Sequence, residues 1–248
     1  MANRSSFPLR IVAHRGLGPW NLPENSREAI DAAWRNGIVW AECDVHASRD
    51  GVPVVIHDQT LDRTTDLRGR VAERTWAALS RARLRHGDSL GGELVASLSN
   101  IVESQPAGAG LFVEIKPDDD RALVERVLKL LAGANPAARF VVESFDERNL
   151  FHARQFNAPL ELVWLIEDAS LLKRAIESPW PGISVDHKLL DESLANALRA
   201  RGKSIGVWTV NQPADLARAA QLGADVIISD DPVAASAFLS PFQSASIK

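Results

Sequence analysis

The chain has 248 residues, 46% of them hydrophobic, with a net charge of −4 from 28 basic and 32 acidic side chains. That apolar content excludes a disordered chain, the near-neutral balance gives no electrostatic footprint for nucleic acid, and the one cysteine, Cys43, excludes an intrachain disulfide. No signal-peptide core precedes the first apolar run and no apolar stretch is long enough to span a bilayer, so the expectation is a cytoplasmic protein in a reducing compartment, without stable membrane insertion.

Nine short apolar runs alternate with helical patterns: 11–14, 40–45, 52–57, 111–116, 140–145, 161–166, 182–186, 204–210 and 225–229. Such alternation is the sign of βα units and a parallel sheet. After the first run, Asn25 or Ser26 can cap a helix with Ile30, Ala33 and Trp34 on its apolar side and Gly37 as its stop. Only 47–51 separates the second run from the third, and it contains Asp50-Gly51, a hairpin turn signal. A parallel crossover needs a dozen or more residues, so 52–57 is expected to fold back beside 40–45. Eight runs then remain to close a (β/α)8 TIM barrel, and a chain near ~250 residues suits one such domain over 1–248. The least regular stretch, 58–97, is expected as a small insertion after the second strand region, over one mouth. Further on, Leu123, Val127, Leu130 and Leu131 fall at helical spacing. The helices at 192–201 and 213–222 each end at a glycine, Gly202 and Gly223. Residues 241–248 read as a frayed tail.

Polar residues gather at the C-terminal ends of these runs, where a TIM barrel carries its active site. Glu42 and Asp44 are two apart on one strand and so share a face, as do Glu114 and Lys116. Three carboxylates converging on the barrel axis repel one another unless a cation or protons neutralise them. A divalent ion with oxygen ligands resolves this; ion pairs with Arg15 and Lys116 are the other resolution. His14 and His57 come from different strands and can act as general acid and base, although a lone histidine after a strand is more often a hydrogen-bonding structural group. His86 and His152 read as surface or structural, and His46 and His187 stay open. Glu24 either reaches the site or flanks a cap at Asn25. Trp208 is either a substrate wall or core packing.

The ordered set His14-Arg15-Gly16, Pro23-Glu24-Asn25-Ser26, Glu42-Cys43-Asp44-Val45, Asp50-Gly51, Val54-Val55-Ile56-His57-Asp58 and Arg63-Thr64-Thr65 resembles the glycerophosphodiester phosphodiesterases. Glu114-Ile115-Lys116, Ser144-Phe145, Val207-Trp208-Thr209-Val210-Asn211 and Ser229-Asp230-Asp231-Pro232 continue the match in order, from about Ile11 to Pro232. The start and the stretch from Ile183 to Leu190 look closest to the bacterial cytoplasmic branch. The resemblance implies the barrel with its insertion, and metal-dependent hydrolysis of glycerophosphodiesters to sn-glycerol 3-phosphate and an alcohol. It implies Glu42, Asp44 and Glu114 as ligands of one divalent ion, Mg2+ or Ca2+ first and Mn2+ or Zn2+ next. It implies His14 and His57 as catalytic acid and base, Arg15 and Lys116 as phosphate-contacting cations, Glu24 as an acidic residue of the site, and Trp208 as an aromatic near the substrate. The chain departs from the pattern at Ala96-Ser97-Leu98, where Pro-Thr-Leu is common, at Ser26 in place of Thr, and at Glu143, where small or apolar residues are common.

Other readings keep the architecture and change the function. A lysophospholipid substrate would use the Trp20 and Trp76 loops. A silent phosphodiester-binding protein would lack a ligand or a histidine, and none is missing. A sugar-phosphate aldolase or isomerase barrel would not need the histidine pair and the carboxylate trio together.

Overall fold

Alternation along the strands decides what this fold buries. Side chains one apart leave opposite faces, so each strand of a closed barrel presents one set to the axis and the other to the surrounding helices. The computed structural model describes residues 9–18, 22–117, 121–156 and 160–244. It opens with β1 (Arg10–Ala13), α1 (Arg27–Arg35), β2 (Trp40–Ala47) and β3 (Pro53–Val55). The insertion follows with α2 (Trp76–Leu79), β4 (Arg83–His86), β5 (Ser89–Leu94) and β6 (Ala96–Ser97). Next come α3 (Leu98–Ser104), β7 (Gly110–Ile115), α4 (Arg121–Ala132), β8 (Arg139–Ser144), α5 (Glu147–Gln155), β9 (Glu161–Ile166) and α6 (Leu172–Glu177). The chain ends with β10 (Gly182–Asp186), α7 (Glu192–Ala200), β11 (Ser204–Trp208), α8 (Pro213–Gln221), β12 (Val226–Ser229) and α9 (Pro232–Ser244).

Eight parallel strands run in the order β1, β12, β11, β10, β9, β8, β7, β2, and β2 pairs with β1 to close the ring. β3 lies antiparallel on β2, with Val45 opposite Val55, and β6 lies antiparallel on β3. The Asp50-Gly51 turn therefore makes the hairpin its signal implies, with Gly51 at φ 81°. The 58–97 stretch folds as an insertion whose Leu61, Leu79 and Leu84 share a buried cluster with Val54 and Ile56 of the β3 segment, and it carries an antiparallel pair, β4 with β5.

The outward set, including Ala41, Cys43 and Val45 of β2 and Leu111, Val113 and Ile115 of β7, packs under the helices. The inward set forms a separate cluster of Val12, Trp40, Phe112, Val141, Val163, Val226 and Ile228. Gly110 belongs to this design: a Cβ there would lie 2.0 Å from the Trp40 ring, so only glycine admits the indole.

Local expectations are refined at three places. Ser26, not Asn25, caps α1, its Oγ accepting from the Ala29 N–H at 3.0 Å. Ser97 and Asn100 form a capping box on α3, so Ala96-Ser97-Leu98 makes a strand and a cap. The supposed tail is helical through Ser244, where α9 ends, because Pro232 opens a helix that nothing stops before 241; residues 245–248 lie outside the described residues. Among the described residues, no helix is long and apolar enough to cross a membrane.

Candidate active site

The two-residue spacing on neighbouring strands assembles the acids. Asp44 of β2 is in register with Glu114 of β7, and Glu114 with Glu143 of β8. Glu114 and Glu143 each lie one inward step beyond the apolar Phe112 and Val141, and Glu42 and Asp44 one and two steps beyond Trp40. Glu42, Asp44 and Glu114 each offer a carboxylate oxygen within 4.8 Å of the others, and all three side chains are buried. Glu143, 1% exposed, adds a fourth carboxylate. Two cations answer these four. Lys116 Nζ lies 2.7 Å from Asp44 Oδ1 and 2.8 Å from Glu114 Oε1, and Arg15 Nε lies 3.2 Å from Asp44 Oδ2. The ion-pair and metal resolutions weighed for this cluster are therefore compatible: Arg15 and Lys116 offset part of the charge and leave an excess of two carboxylates.

That excess shows in the protonation of the groups. Burial, then Asp44 and Glu143, pushes the Glu42 carboxyl well above its usual range. Burial and then Glu114 do the same to Glu143, and burial and then Asp44 raise Glu114. Burial alone would raise Asp44 too, but Lys116 and Arg15 outweigh it and hold that carboxyl well below the ordinary value. Among the described residues, Glu42 Oε1 and Glu143 Oε2 are buried and have no hydrogen-bond partner. Unpartnered buried carboxylate oxygens are costly, and a divalent cation held by Glu42, Asp44 and Glu114 would offset part of that cost. The donors are all oxygen, the chemistry of a hard ion.

The loop after β1 is shaped around this cluster. Arg15 and Gly16 have φ of 55° and 87°, and a Cβ on Gly16 would lie 2.5 Å from the Ala29 backbone, so glycine is required there. The turn points the Arg15 N–H at Glu42 Oε2, 2.9 Å away. Asn25, expected as a possible cap, instead has φ 59° and grips Asp44 twice. Its Nδ2 donates to Asp44 Oδ2 at 2.7 Å, and its Oδ1 accepts from the Asp44 N–H at 3.1 Å. Glu24 accepts from Arg15 at 2.9 Å and from Arg63 at 2.7 and 2.8 Å.

The histidines flank β2, His14 following β1 and His57 following β3. His14 Nδ1 is 2.7 Å from Asp230 Oδ1, and His57 Nδ1 is 2.7 Å from Asp58 Oδ1. With Nδ1 tied to a carboxylate, each ring keeps Nε2 for chemistry. Burial is the largest influence on His57 and brings its pKa below the ordinary value, against the pull of Asp44.

A cavity of about 200 Å³ is lined by His14, Arg15, Glu42, His57, Glu114 and Lys116 on one side and by Glu143, Phe145, Leu165, Glu167 and Trp208 on the other. Trp208 packs edge-on to Phe145 with centroids 5.3 Å apart, so it forms an aromatic wall of this cavity. A neighbouring cavity of about 460 Å³ shares His14 and Arg15 and adds Glu24, Arg63, Arg85 and Asp230.

All nine residues singled out from the sequence thus lie at one mouth of the barrel. The remaining histidines are elsewhere or serve structure. His46 contacts the His57 carbonyl at 3.1 Å, His86 the Leu22 carbonyl at 3.0 Å, His152 packs on Phe156, and His187 lies 3.8 Å from Asp215. Sequence reasoning gave Asn25 only a possible capping role, and gave none to Asp58, Arg63, Asp230 or Asn211, whose Nδ2 donates to Asp230 Oδ2 at 2.7 Å. Most of their partners are remote in the chain; the contacts of Asp58 to His57 and to Arg63, one and five residues away, are the local ones. Trp20 lies outside the described residues.

Comparison with known proteins bears on this arrangement. The model of the glycerophosphoryl diester phosphodiesterase family matches residues 14–234. A glycerophosphodiester phosphodiesterase of Caldanaerobacter subterraneus is 28% identical over 231 residues, covering 90% of this chain and 94% of its own. The crystal structure of a glycerophosphodiester phosphodiesterase from Agrobacterium tumefaciens superposes with a TM-score of 0.73 at 26% identity, covering 92% of this chain and 99% of its own. An Oleispira antarctica phosphodiesterase, solved in complex with the product sn-glycerol-3-phosphate, superposes with a TM-score of 0.84 at 22% identity, covering 94% and 97%. The family match takes in both histidines and all three acids of the cluster, and the chain belongs to the glycerophosphoryl diester phosphodiesterase family of enzymes.

Proposed function

We propose that the protein hydrolyses glycerophosphodiesters to sn-glycerol 3-phosphate and an alcohol at the mouth of its barrel, with one divalent ion, His14 and His57. The observation that carries this reading is the convergence of three buried carboxylates beside β2, flanked by two histidines whose Nδ1 atoms are each tied to a carboxylate. Kinship with the family, and the product held by the Oleispira antarctica relative, support the substrate class.

Glu42, Asp44 and Glu114 would hold the ion, Mg2+ or Ca2+ by their hard oxygen donors, with Mn2+ and Zn2+ as the other candidates. When bound, it supplies Lewis-acid charge to a non-bridging phosphate oxygen. Arg15 and Lys116 contribute fixed positive charge toward the same group, where charge develops in the transition state. His57, kept neutral near pH 7 by its burial, removes the proton of the nucleophile. His14, on the other side of β2, donates a proton to the departing alkoxide, a poor leaving group without it. Glu24 keeps Arg15 aimed, and Trp208 with Phe145 offers an apolar wall to the substrate's carbon skeleton. The nucleophile is the free glycerol hydroxyl beside the phosphate, which gives a cyclic phosphate that water then opens. A transient cyclic phosphate in 31P NMR of a turnover mixture checks this step, and direct water attack would show none.

The deciding experiment is release of glycerol 3-phosphate from glycerophosphocholine and glycerophosphoethanolamine by metal-stripped protein. Mg2+, Ca2+, Mn2+ or Zn2+ is then added back. Release restored by an ion is expected; folded protein that releases none with any ion overturns the proposal.

A further inference from the structure

We propose that Arg63 is a positioning residue that couples the insertion to the barrel mouth, holding His57 and Arg15 in place at once through the two carboxylates it clamps. The inference rests on the function proposed above. Arg63 comes from the insertion, yet its guanidinium reaches the loop after β1. It donates to Asp58 twice, Nε to Oδ2 at 2.7 Å and Nη2 to Oδ1 at 2.9 Å. It donates to Glu24 twice, Nη1 to Oε2 at 2.7 Å and Nη2 to Oε1 at 2.8 Å. The Asp58 oxygen that meets Nη2 also holds His57 Nδ1, and the Glu24 oxygen that meets Nη2 also holds Arg15 Nη1. Arg15 in turn lies against Asp44. A line of alternating charge therefore runs from Asp58, which holds His57, through Arg63, Glu24 and Arg15 to Asp44.

A side chain 49% exposed ordinarily makes ion pairs that contribute little to stability. Here the pairs matter for orientation. A planar guanidinium offers two forks at a fixed angle, so the two carboxylates it binds cannot turn independently. A lysine ammonium is a point charge and sets no such angle. The hydrogen bonds to Arg63 are also the largest influence lowering the Asp58 carboxyl, so Asp58 stays ionised as the acceptor that fixes the His57 tautomer.

The test uses the full chain with the activating ion, glycerophosphocholine as substrate, and the variants Arg63→Ala, Arg63→Lys and His57→Ala. In Arg63→Ala, kcat/KM is expected to fall at least about tenfold, a modest misorientation penalty, with Tm little changed. Millimolar guanidinium ion restores part of the loss in Arg63→Ala, and gives no gain in wild type or in His57→Ala. Arg63→Lys keeps the charge and remains impaired. A second readout needs no turnover. The His57 ring, followed by NMR titration, gains a higher pKa in Arg63→Ala, because Asp58 loses its shared cation and a loosened Arg15 opposes protonation of the ring less, while Asp44 and Lys116 keep their own pair. Wild-type kcat/KM in Arg63→Ala, a loss indifferent to guanidinium, or an unmoved His57 titration each overturns the inference. An active His57→Ala would instead overturn the acid–base reading beneath it.

Discussion

The two ends of the barrel are made by the same strands and obey opposite rules. At the N-terminal end, Arg10 lies over Trp40 and Phe112 with its guanidinium 5.3 and 5.5 Å from the ring centroids, and it meets Glu161 through two bonds of 2.8 Å. The charges named there have partners, and the aromatic layer above them is buried. Two residues further along β2 and β7, the inward positions change from Trp40 and Phe112 to Glu42 and Glu114. Four carboxylates face two cations, and buried oxygens stay unpartnered. The lower end is optimised for burial. The upper end holds unfavourable electrostatics in place, and the rigidity of the lower end makes that tolerable.

Breaking the lower end should have the largest effect on stability. Trp40→Ala removes the indole that Gly110 makes room for, and is expected to cost about 3–5 kcal/mol. Thermal unfolding would then drop by on the order of 10 °C, while His14 and His57 keep their partners. At the upper end, His14→Ala or His57→Ala should lower turnover at least ~100-fold, equivalent to about 2.7 kcal/mol of transition-state stabilisation, with Tm near that of wild type. Opposite responses of Tm and kcat at the two ends would confirm the division of labour; a Trp40→Ala protein of unchanged Tm would end it.

Adding the activating ion should relieve the upper end. At about 100 times its Kd the ion stabilises the fold by about 2.7 kcal/mol, or roughly 5–10 °C for a chain of this size. Calorimetry with and without the ion checks this. The smallest effect concerns protons. Burial and neighbouring carboxylates raise Glu42 and Glu143, so the native metal-free protein binds more protons than the unfolded chain above the ordinary carboxylate value of about 4.3. The stability these two groups contribute is therefore fully present below that value and is lost as pH rises through their raised pKa values. Glu143→Gln should flatten this slope in metal-free thermal melts by a few degrees, and an identical slope would remove Glu143 from the cluster.

How much of this the sequence shows depends on range. The barrel was legible because its period-two and helical patterns are local, and Asp50-Gly51 exposed the hairpin that would otherwise make a ninth barrel strand. The acids were legible because Glu42, Asp44 and Glu114 are charged residues inside apolar runs, where burial needs a reason. Asn25 was only half legible. Its position before a helix suggests a cap, and nothing nearby announces that its backbone turns left-handed to grip Asp44. Asp230 and Arg63 fall within short motifs that show no role for them, because the contacts to His14 and Glu24 lie 216 and 39 residues away in the chain. Residues 241–244 read as a tail because their composition carries no helical stripe, although α9 continues through them.

The seam between β1 and β12 sets an order on the molecule's assembly. The clustered acids Glu42, Asp44 and Glu114 sit on β2 and β7, which pair with each other and precede β8 to β12 in the chain. His14 waits at the far edge of β1 until β12, more than two hundred residues later, arrives with Asp230. A growing chain can thus gather its carboxylates long before it can orient that histidine. The contact that orients His14 comes only with closure of the ring.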